Sequence, residues 1–288
     1  MITGATKLLG VIGHPVEHSL SPIMHNAAIA HLGVNYVYLP FPIEANGLAT
    51  AIAGFEAIGL QGFNITIPHK QAIMPMLTEV SEAALAVGAV NTVWRTETGW
   101  NGCNTDVAGF LAPLTSMPRD WSQTIVLVLG NGGAARAVVA GCSQLGFAAI
   151  WVVGRNQTKL QAFQQSWLAS PLQPKLTVHP WGALPDLLPQ AGLVVNTTPI
   201  GMYPHTDASP LSPALIAKMP TAAIAYDLIY TPNPSQFLRQ AAAQGSTPID
   251  GLEMLVQQGA AALEIWLKQP APVEVMRRSL RRQLGLDP

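Results

Sequence analysis

Residues Gly62 to Lys70 read Gly-Phe-Asn-Ile-Thr-Ile-Pro-His-Lys, which brings an amide, a hydroxyl and an ammonium together where an apolar run ends against a proline. Period-two spacing points Asn64 and Thr66 to one side of an extended segment. Pro68 then predicts a turn from which Lys70 approaches them at a helix start. A lysine beside two neutral hydrogen-bonding groups can hold an oxygen-rich small molecule and exchange a proton with it. The plainer reading is a strand end with a solvated lysine. Three further stretches offer matching chemistry. In His18-Ser19-Leu20-Ser21-Pro22, two hydroxyls flank a predicted helix over Ile23 to His31. Ser21 is either the N-cap, with Pro22 at the first helical position, or a ligand; Ser19 has no capping duty, and the pair suits a carboxylate. Asn91 sits in the β-like run Gly88 to Val93, as a sheet amide or a ligand. Asp106 precedes a predicted helix over Val107 to Leu114, and either it or Thr105 can cap that helix. Taken together, Ser19, Ser21, Asn64, Thr66, Asn91 and Asp106 supply hydroxyl, amide and carboxylate groups suited to a polyol acid, and a Lys and Asp pair completes a proton-transfer site.

A second chemistry begins at Gly130-Asn131-Gly132-Gly133-Ala134-Ala135, between a buried strand over Thr124 to Leu129 and a helix reaching Leu145. Strand, glycine turn and helix in that order make a dinucleotide fingerprint. Gly130 permits the tight turn, Gly132 lets the backbone approach a pyrophosphate on the helix N-terminus, and Ala135 is the small residue needed for packing. The next strand, Ala149 to Val153, ends in Gly154-Arg155-Asn156-Gln157-Thr158-Lys159, with two cations and no carboxylate. NAD sites place an acidic residue here for the ribose 2′-hydroxyl, whereas Arg155 suits a 2′-phosphate, so NADP is favoured over NAD. The alternative for Arg155 is a solvated strand tip. Asn196-Thr197-Thr198-Pro199-Ile200-Gly201-Met202 is another strand-end loop, suited to the nicotinamide half of the cofactor.

These groups need strand ends and helix starts to hold them. Strands are predicted over Lys7 to Ile12, Asn35 to Ile43 and Leu60 to Thr66, with a helix over Gly47 to Ile58, and this β-α-β-α-β succession favours an α/β layer with a largely parallel sheet. Ligands on such sheets sit at the carboxyl ends of strands, where the serine turn and the Asn64 to Lys70 corner both fall. Pro113 to Ser122 reads as a linker. Beyond it, strands are expected over Leu176 to His179, Leu193 to Thr197 and Ala222 to Leu228, with a short one ending at Asp250-Gly251. Helices are expected over Gly182 to Leu188, Ser235 to Gln244 and Leu252 to Trp266. The 288 residues suffice for one large domain or two ordinary ones. Hydrophobic residues make up 49% and charged ones 11%, in apolar runs shorter than the roughly 20 residues a membrane span needs. A net charge of -1 without a basic tract argues against nucleic acid, leaving a small-molecule substrate as the expected partner. Met1 to Leu9 carries no cleavable apolar region, and Cys103 and Cys142 are far apart, so a reducing cytoplasm is expected and no zinc site is read. The seven histidines are scattered.

Six strings in order carry a family resemblance: Gly13 to Pro22 as Gly-x-Pro-x-x-His-Ser-x-Ser-Pro, Asn64 to Lys70 as Asn-Ile-Thr-x-Pro-x-Lys, Gly88 to Thr92, Gly102 to Asp106 with Gly109, the glycine turn, and Asn196 to Met202. The chain resembles the shikimate dehydrogenase family over its whole length. The resemblance implies NADPH-dependent, reversible reduction of 3-dehydroshikimate to shikimate in aromatic amino-acid biosynthesis. The implied fold is a two-domain α/β one: a substrate domain over 1–115 and 251–288, formed partly by C-terminal helices that return to it, and a Rossmann NADP-binding domain over 116–250. Lys70 becomes the acid/base and Asp106 its partner. Ser19 and Ser21 hold the substrate carboxylate with Thr66 and Tyr230 nearby. Asn64, Asn91, Asp106 and Gln258 bind ring hydroxyls, Gln258 being chosen over Gln257 from its spacing. Gly130, Asn131, Gly132, Gly133, Ala134, Arg155, Asn156, Thr197, Thr198, Met202, Leu228 and Gly251 fall to the cofactor, and no metal is implied. Gly154 stands where many members have Asn, and Asn156 where they have Thr, which changes the side chains offered to the adenosine while keeping the arginine. A homodimer is compatible with the resemblance. The nearest alternatives are a quinate/shikimate dehydrogenase with broader acid and cofactor use, and a noncatalytic paralogue that binds NADP and shikimate.

Overall fold

Lys7-Leu-Leu-Gly-Val-Ile-Gly is apolar throughout its interior, as expected of a strand buried on both faces, and it forms β1 (Lys7–Gly13) inside a six-stranded sheet. The computed structural model describes residues 2–286. In order follow α1 (Ser21–Leu32), β2 (Tyr36–Pro42), α2 (Leu48–Ala57), β3 (Gly62–Ile65), β4 (Glu79–Val80), α3 (Glu82–Val87), β5 (Thr92–Thr96), β6 (Gly99–Cys103) and α4 (Asp106–Thr115). The sheet runs β2-β1-β3-β5-β6-β4. β1 pairs parallel with β2 and β3, and β4 with β6, while β5 is antiparallel to both neighbours. The β5 to β6 connection is too short for a crossover, which forces the antiparallel hairpin. Phe41, Phe55, Phe63 and Trp100 run through the core below this sheet, each ring centroid 5.2 to 5.4 Å from the next. Each such pair contributes about 0.5–1.5 kcal/mol beyond area burial.

The second sheet is built from β7 (Ile125–Leu129), β8 (Ala149–Gly154), β9 (Leu176–Pro180), β10 (Leu193–Asn196), β11 (Ile224–Asp227) and β12 (Thr247–Ile249). Between them lie α5 (Gly133–Gln144), α6 (Gln157–Gln165), α7 (Leu184–Leu187), α8 (Pro213–Ile216) and α9 (Gln236–Ala243). Its order is β12-β11-β10-β7-β8-β9, with every neighbouring pair parallel. Counted from β7 this is the 3-2-1-4-5-6 order of doubly wound dinucleotide-binding sheets, reversing between β7 and β10. Leu127, Leu129, Val153, Val194, Ala225 and Phe237 are buried on the helix-covered core. The chain ends with α10 (Leu252–Leu267) and α11 (Val273–Gln283).

Contacts divide the chain into two units, one running up to Gly109 and resuming at Leu255, the other Phe110–Met254. Within the first unit α11 packs on α1, and the indole of Trp266 on α10 packs closely against Gly62 of β3. Gly62 makes that approach possible, because a Cβ there would overlap the indole. The indole N–H donates to Val93 O at 2.9 Å, so the bulky ring is satisfied as well as packed. The expected α/β architecture with largely parallel sheets is what forms. No helix among the described residues is long and apolar enough to cross a membrane.

Three local expectations are corrected. Helical bonding starts one residue earlier than the Ser21 cap reading: Leu20 O accepts from Ile23 N and Met24 N, so Leu20 is the N-cap and Ser21 the first helical residue. No helix starts at Lys70. Its carbonyl accepts from Val90 N at 2.8 Å, which withdraws it from any helical ladder, and the segment continues as turns into one 3₁₀ turn, Met74–Met76. The linker begins later than Pro113, since α4 continues through that proline to Thr115. The hydroxyls of Thr115 and Ser116 donate to the carbonyls of Ala112 and Pro113 and finish the last turn.

Candidate active site

The first unit gathers most of the chemistry-bearing residues into one connected polar network. Asp106 is the first residue of α4, and its Oδ2 receives a hydrogen bond from Lys70 Nζ at 2.5 Å. The two side chains are 17% and 9% exposed, so this ion pair is shielded yet still reachable from solvent. Asp106 Oδ1 accepts from Asn91 Nδ2 at 2.8 Å, which engages both carboxylate oxygens. The start of α4 is held by a residue the sequence reading passed over. Asn104 Oδ1 accepts from the N–H groups of Asp106 and Val107, so neither Thr105 nor Asp106 provides the side-chain cap. Cys103, one residue earlier, has its thiol pushed up to about 12, first by burial and then by the negative field of Asp106. That shift favours the neutral thiol over the nucleophilic thiolate at neutral pH.

Asn91 is the hub of the network. Its Nδ2 also donates to Thr105 Oγ1 at 3.0 Å and points to Gln258 Oε1 at 3.4 Å, while its Oδ1 accepts from Thr105 N at 2.7 Å and Thr92 Oγ1 at 3.1 Å. Gln258, on α10, is buried and anchored through Nε2 to Leu255 O, with its Oε1 toward Asn91. Asn64, at the end of β3, donates to Asn91 O at 3.2 Å and Thr92 Oγ1 at 3.1 Å. Its Oδ1 accepts from the Tyr38 phenol at 2.7 Å. Both Nδ2 protons of Asn64 are therefore engaged, and it meets a ligand as an acceptor.

Tyr38 extends the network to the serine turn. Its phenol is fully buried, and burial raises it well above the ordinary range, with the nearby Ser21 hydroxyl opposing that shift. It stays a donor at all physiological pH. Asn26 grips Tyr38's backbone from both sides at 2.8 and 2.9 Å, and the His25 ring stacks on it at 4.2 Å. His25 is itself fully buried with both ring nitrogens unpartnered, and burial pushes it down to about 3. Ser19 is half-buried, and its Oγ accepts from Ser21 N at 3.3 Å, so the hydroxyl expected to be free does the local turn bonding. Thr66 packs its methyl against Gly13, and its hydroxyl has no hydrogen bond among the described residues.

Tyr38 and Thr92 were not singled out from sequence, and Thr105 was read only as a possible helix cap. Thr92 and Thr105 each neighbour a named site residue, a signal that was present. Tyr38 is brought to Asn64 only by the β2-β1-β3 arrangement.

In the second unit the polar groups collect where strand order reverses. Gly130 has φ +104°, and a Cβ there would stand 2.8 Å from Thr197 Oγ1 and 3.1 Å from Thr198 Cγ2, so the two strand-end loops close tightly only over a glycine. Thr197 Oγ1 donates to Leu129 O at 2.7 Å, and Thr198 Oγ1 to Asn196 Oδ1 at 2.7 Å. Asn196 in turn donates to Asp227 Oδ1 at 2.9 Å, and Ser235 donates to Asp227 Oδ2 at 2.6 Å. Burial raises Asp227 to about 6 against these hydrogen bonds, so it braces the loop and is shielded from solvent. Neither Asn196 as a brace nor Asp227 was anticipated. Met202 is exposed beyond this loop. Gly251 packs onto the Leu228 backbone so closely that a Cβ would overlap it.

A pyrophosphate fits the start of α5. Its N-cap, Gly132, provides no side-chain hydrogen bond, and a Cβ there would meet nothing within 4 Å, so there is open space beside that helix start. Gly133 and Ala134 are the first residues of that turn. Arg155 is exposed just past β8, and Asn156 Oδ1 accepts from Lys159 N at 2.9 Å, capping α6. Tyr230 lies in this second unit. Among the described residues, no three His, Cys, Asp or Glu side chains are grouped to hold a metal ion.

Comparison with known proteins gives a consistent result. Residues 11–93 match the shikimate dehydrogenase substrate binding domain, and residues 251–281 the shikimate 5′-dehydrogenase C-terminal domain. The chain is 64% identical to the shikimate dehydrogenase (NADP(+)) of Trichormus variabilis over 288 residues, 99% of this chain and 100% of the relative. A crystal structure of shikimate dehydrogenase in complex with NADP+ superposes with TM-score 0.89 at 35% identity, over 99% of this chain and 98% of the other. The Thermus thermophilus enzyme, in complex with NADP(H) and shikimate, gives TM-score 0.83 at 34% identity, over 96% and 99%.

Proposed function

The chain belongs to the shikimate dehydrogenase family, and from that premise we propose how its own residues carry the reversible, NADP-dependent reduction of 3-dehydroshikimate to shikimate. The observation that carries the proposal is the Lys70 to Asp106 contact at 2.5 Å inside a network of amides and hydroxyls. When bound, NADPH supplies a hydride to the ketone carbon. Lys70 donates a proton from Nζ to the ketone oxygen as negative charge grows there, and takes one back from water through its residual exposure. Asp106 orients the ammonium, and Asn91 fixes Asp106 in turn. Asn64 and Gln258 offer oxygens to ring hydroxyls, and the Ser19 and Ser21 turn receives the carboxylate with Thr66; Tyr230 is kept as a substrate-binding residue on the family resemblance. The α5 start with Gly130 to Ala134 holds the pyrophosphate, Arg155 and Asn156 serve the 2′-phosphate end, and Thr197, Thr198, Met202, Leu228 and Gly251 serve the nicotinamide half. The substrate domain is 1–115 with 251–288, the cofactor domain 116–250, and the enzyme works in the cytoplasm; a homodimer is compatible with this reading.

An assay at the nicotinamide absorbance band with shikimate and quinate, each with NADP+ and NAD+, tests the reading. Fast turnover of shikimate with NADP+ and slow turnover of the other combinations is expected. Comparable rates with quinate and NAD+ favour the broader quinate/shikimate type. No turnover at all refutes the catalytic assignment and leaves a binding protein.

A further inference from the structure

Gly154, the last residue of β8, is buried although it has no side chain. Its cover comes from two neighbours: a Cβ there would stand 3.1 Å from Asn131 Oδ1 and 3.0 Å from Leu160 Cδ2. Its backbone is outside the left-handed region, so space and not conformation calls for glycine at this position. The loops carrying the two residues are tied together, since Gly130 N donates to Val153 O at 2.9 Å. Asn131 is only half-buried, and its amide makes no hydrogen bond to another described residue. Turned either way, that amide keeps one polar atom against Gly154 and the other directed away from it.

We propose that Asn131 and Gly154 form a matched pair that determines cofactor specificity, the glycine leaving room for the Asn131 amide to bond the ribose 2′-phosphate beside Arg155. The proposal rests on the NADP reading above and adds a specificity residue to it. The end of the second strand of a doubly wound sheet faces the 2′ substituent of the ribose. Arg155 brings charge there, and an amide brings two directional N–H donors that a phosphate oxygen can accept. A side chain at 154 competes for the same space as Asn131. The overlap is with the ends of two flexible side chains, so Gly154→Ala shifts the amide without preventing folding.

The test is calorimetric titration of the full-length protein with 2′,5′-ADP and with 5′-ADP, for wild type, Asn131→Ala, Gly154→Ala and the double variant. Loss of a hydrogen bond to a charged phosphate predicts that Asn131→Ala weakens 2′,5′-ADP by about tenfold and 5′-ADP by less than about threefold. Gly154→Ala is expected to lose affinity in the same direction, and the double variant to be no weaker than Asn131→Ala alone. Thermal unfolding of each variant confirms that it is folded. Equal losses for both nucleotides, or single losses that multiply in the double variant, overturn the pair. A wild type that prefers 2′,5′-ADP and an Asn131→Ala variant that keeps the full preference overturn the pair alone. A wild type with no preference overturns the NADP reading as well.

Discussion

Tyr38→Phe removes a single oxygen from a fully buried side chain and leaves Asn64 Oδ1 without the donor that now sits 2.7 Å away. The stack on His25 at 4.2 Å and the packing against Trp266 survive the change, so the cavity contribution is small. What remains is a buried acceptor stripped of its partner, which costs about 1–3 kcal/mol. Asn64 cannot recover by flipping. A flipped amide would set its oxygen against the Asn91 carbonyl, now 3.2 Å from Nδ2, and lose that bond too. Urea unfolding is therefore expected to show stability lower by about 1–3 kcal/mol with an unchanged m-value. Steady-state kinetics is expected to show KM for shikimate raised about fivefold to tenfold, with kcat within about threefold of wild type, because binding geometry and not proton transfer is disturbed. Unchanged stability would refute the hydrogen-bond account. Lost stability with an unchanged KM would remove Asn64 from substrate binding.

Acid sensitivity has an identifiable source in His25, whose folded pKa is pushed from 6.5 to about 3 by burial. The unfolded chain takes up a proton first as pH falls, so this residue's contribution is whole above 6.5 and is lost progressively down to about 3. At pH 5 the loss is about 2 kcal/mol, and His25→Phe, which keeps the ring stack, is expected to shrink the stability difference between pH 7 and pH 5 by that amount in urea titrations. An identical pH slope in the variant would contradict the assignment. Arg155→Ala is expected to weaken NADPH binding about tenfold or more while changing NADH binding little, as measured by titrating each cofactor. Equal losses would show that Arg155 does not read the 2′-phosphate.

Much of the site was legible because its chemistry lies in residue types at strand ends. Lys70 and Asp106 stand out as isolated charges in apolar surroundings, and Asn64 and Asn91 as amides inside apolar runs. The glycine turn was readable because a strand and a helix flank it at the right distance. What the sequence hid was long-range or competitive. Tyr38 looks like an ordinary alternating strand residue until β1 carries it beside Asn64. The division of labour between Ser19 and Ser21 depended on which residue's carbonyl opens α1, and Leu20 opens it. Lys70 was expected at a helix start, but its carbonyl bonds to Val90, a partner twenty positions away that no local pattern announces. Asp227 was invisible for a similar reason, since its role as a brace exists only once Asn196 and Ser235 converge on it.

The central claim is that Lys70 transfers the proton and Asp106 positions it. The most direct measurement is Lys70→Ala, with kcat from the nicotinamide absorbance and the dissociation constants of shikimate and NADP+ from calorimetry. The expected result is kcat lower by about 10²-fold or more with both dissociation constants within about threefold of wild type. A kcat near the wild-type value would contradict it and return Lys70 to the status of a half-buried surface lysine paired with Asp106.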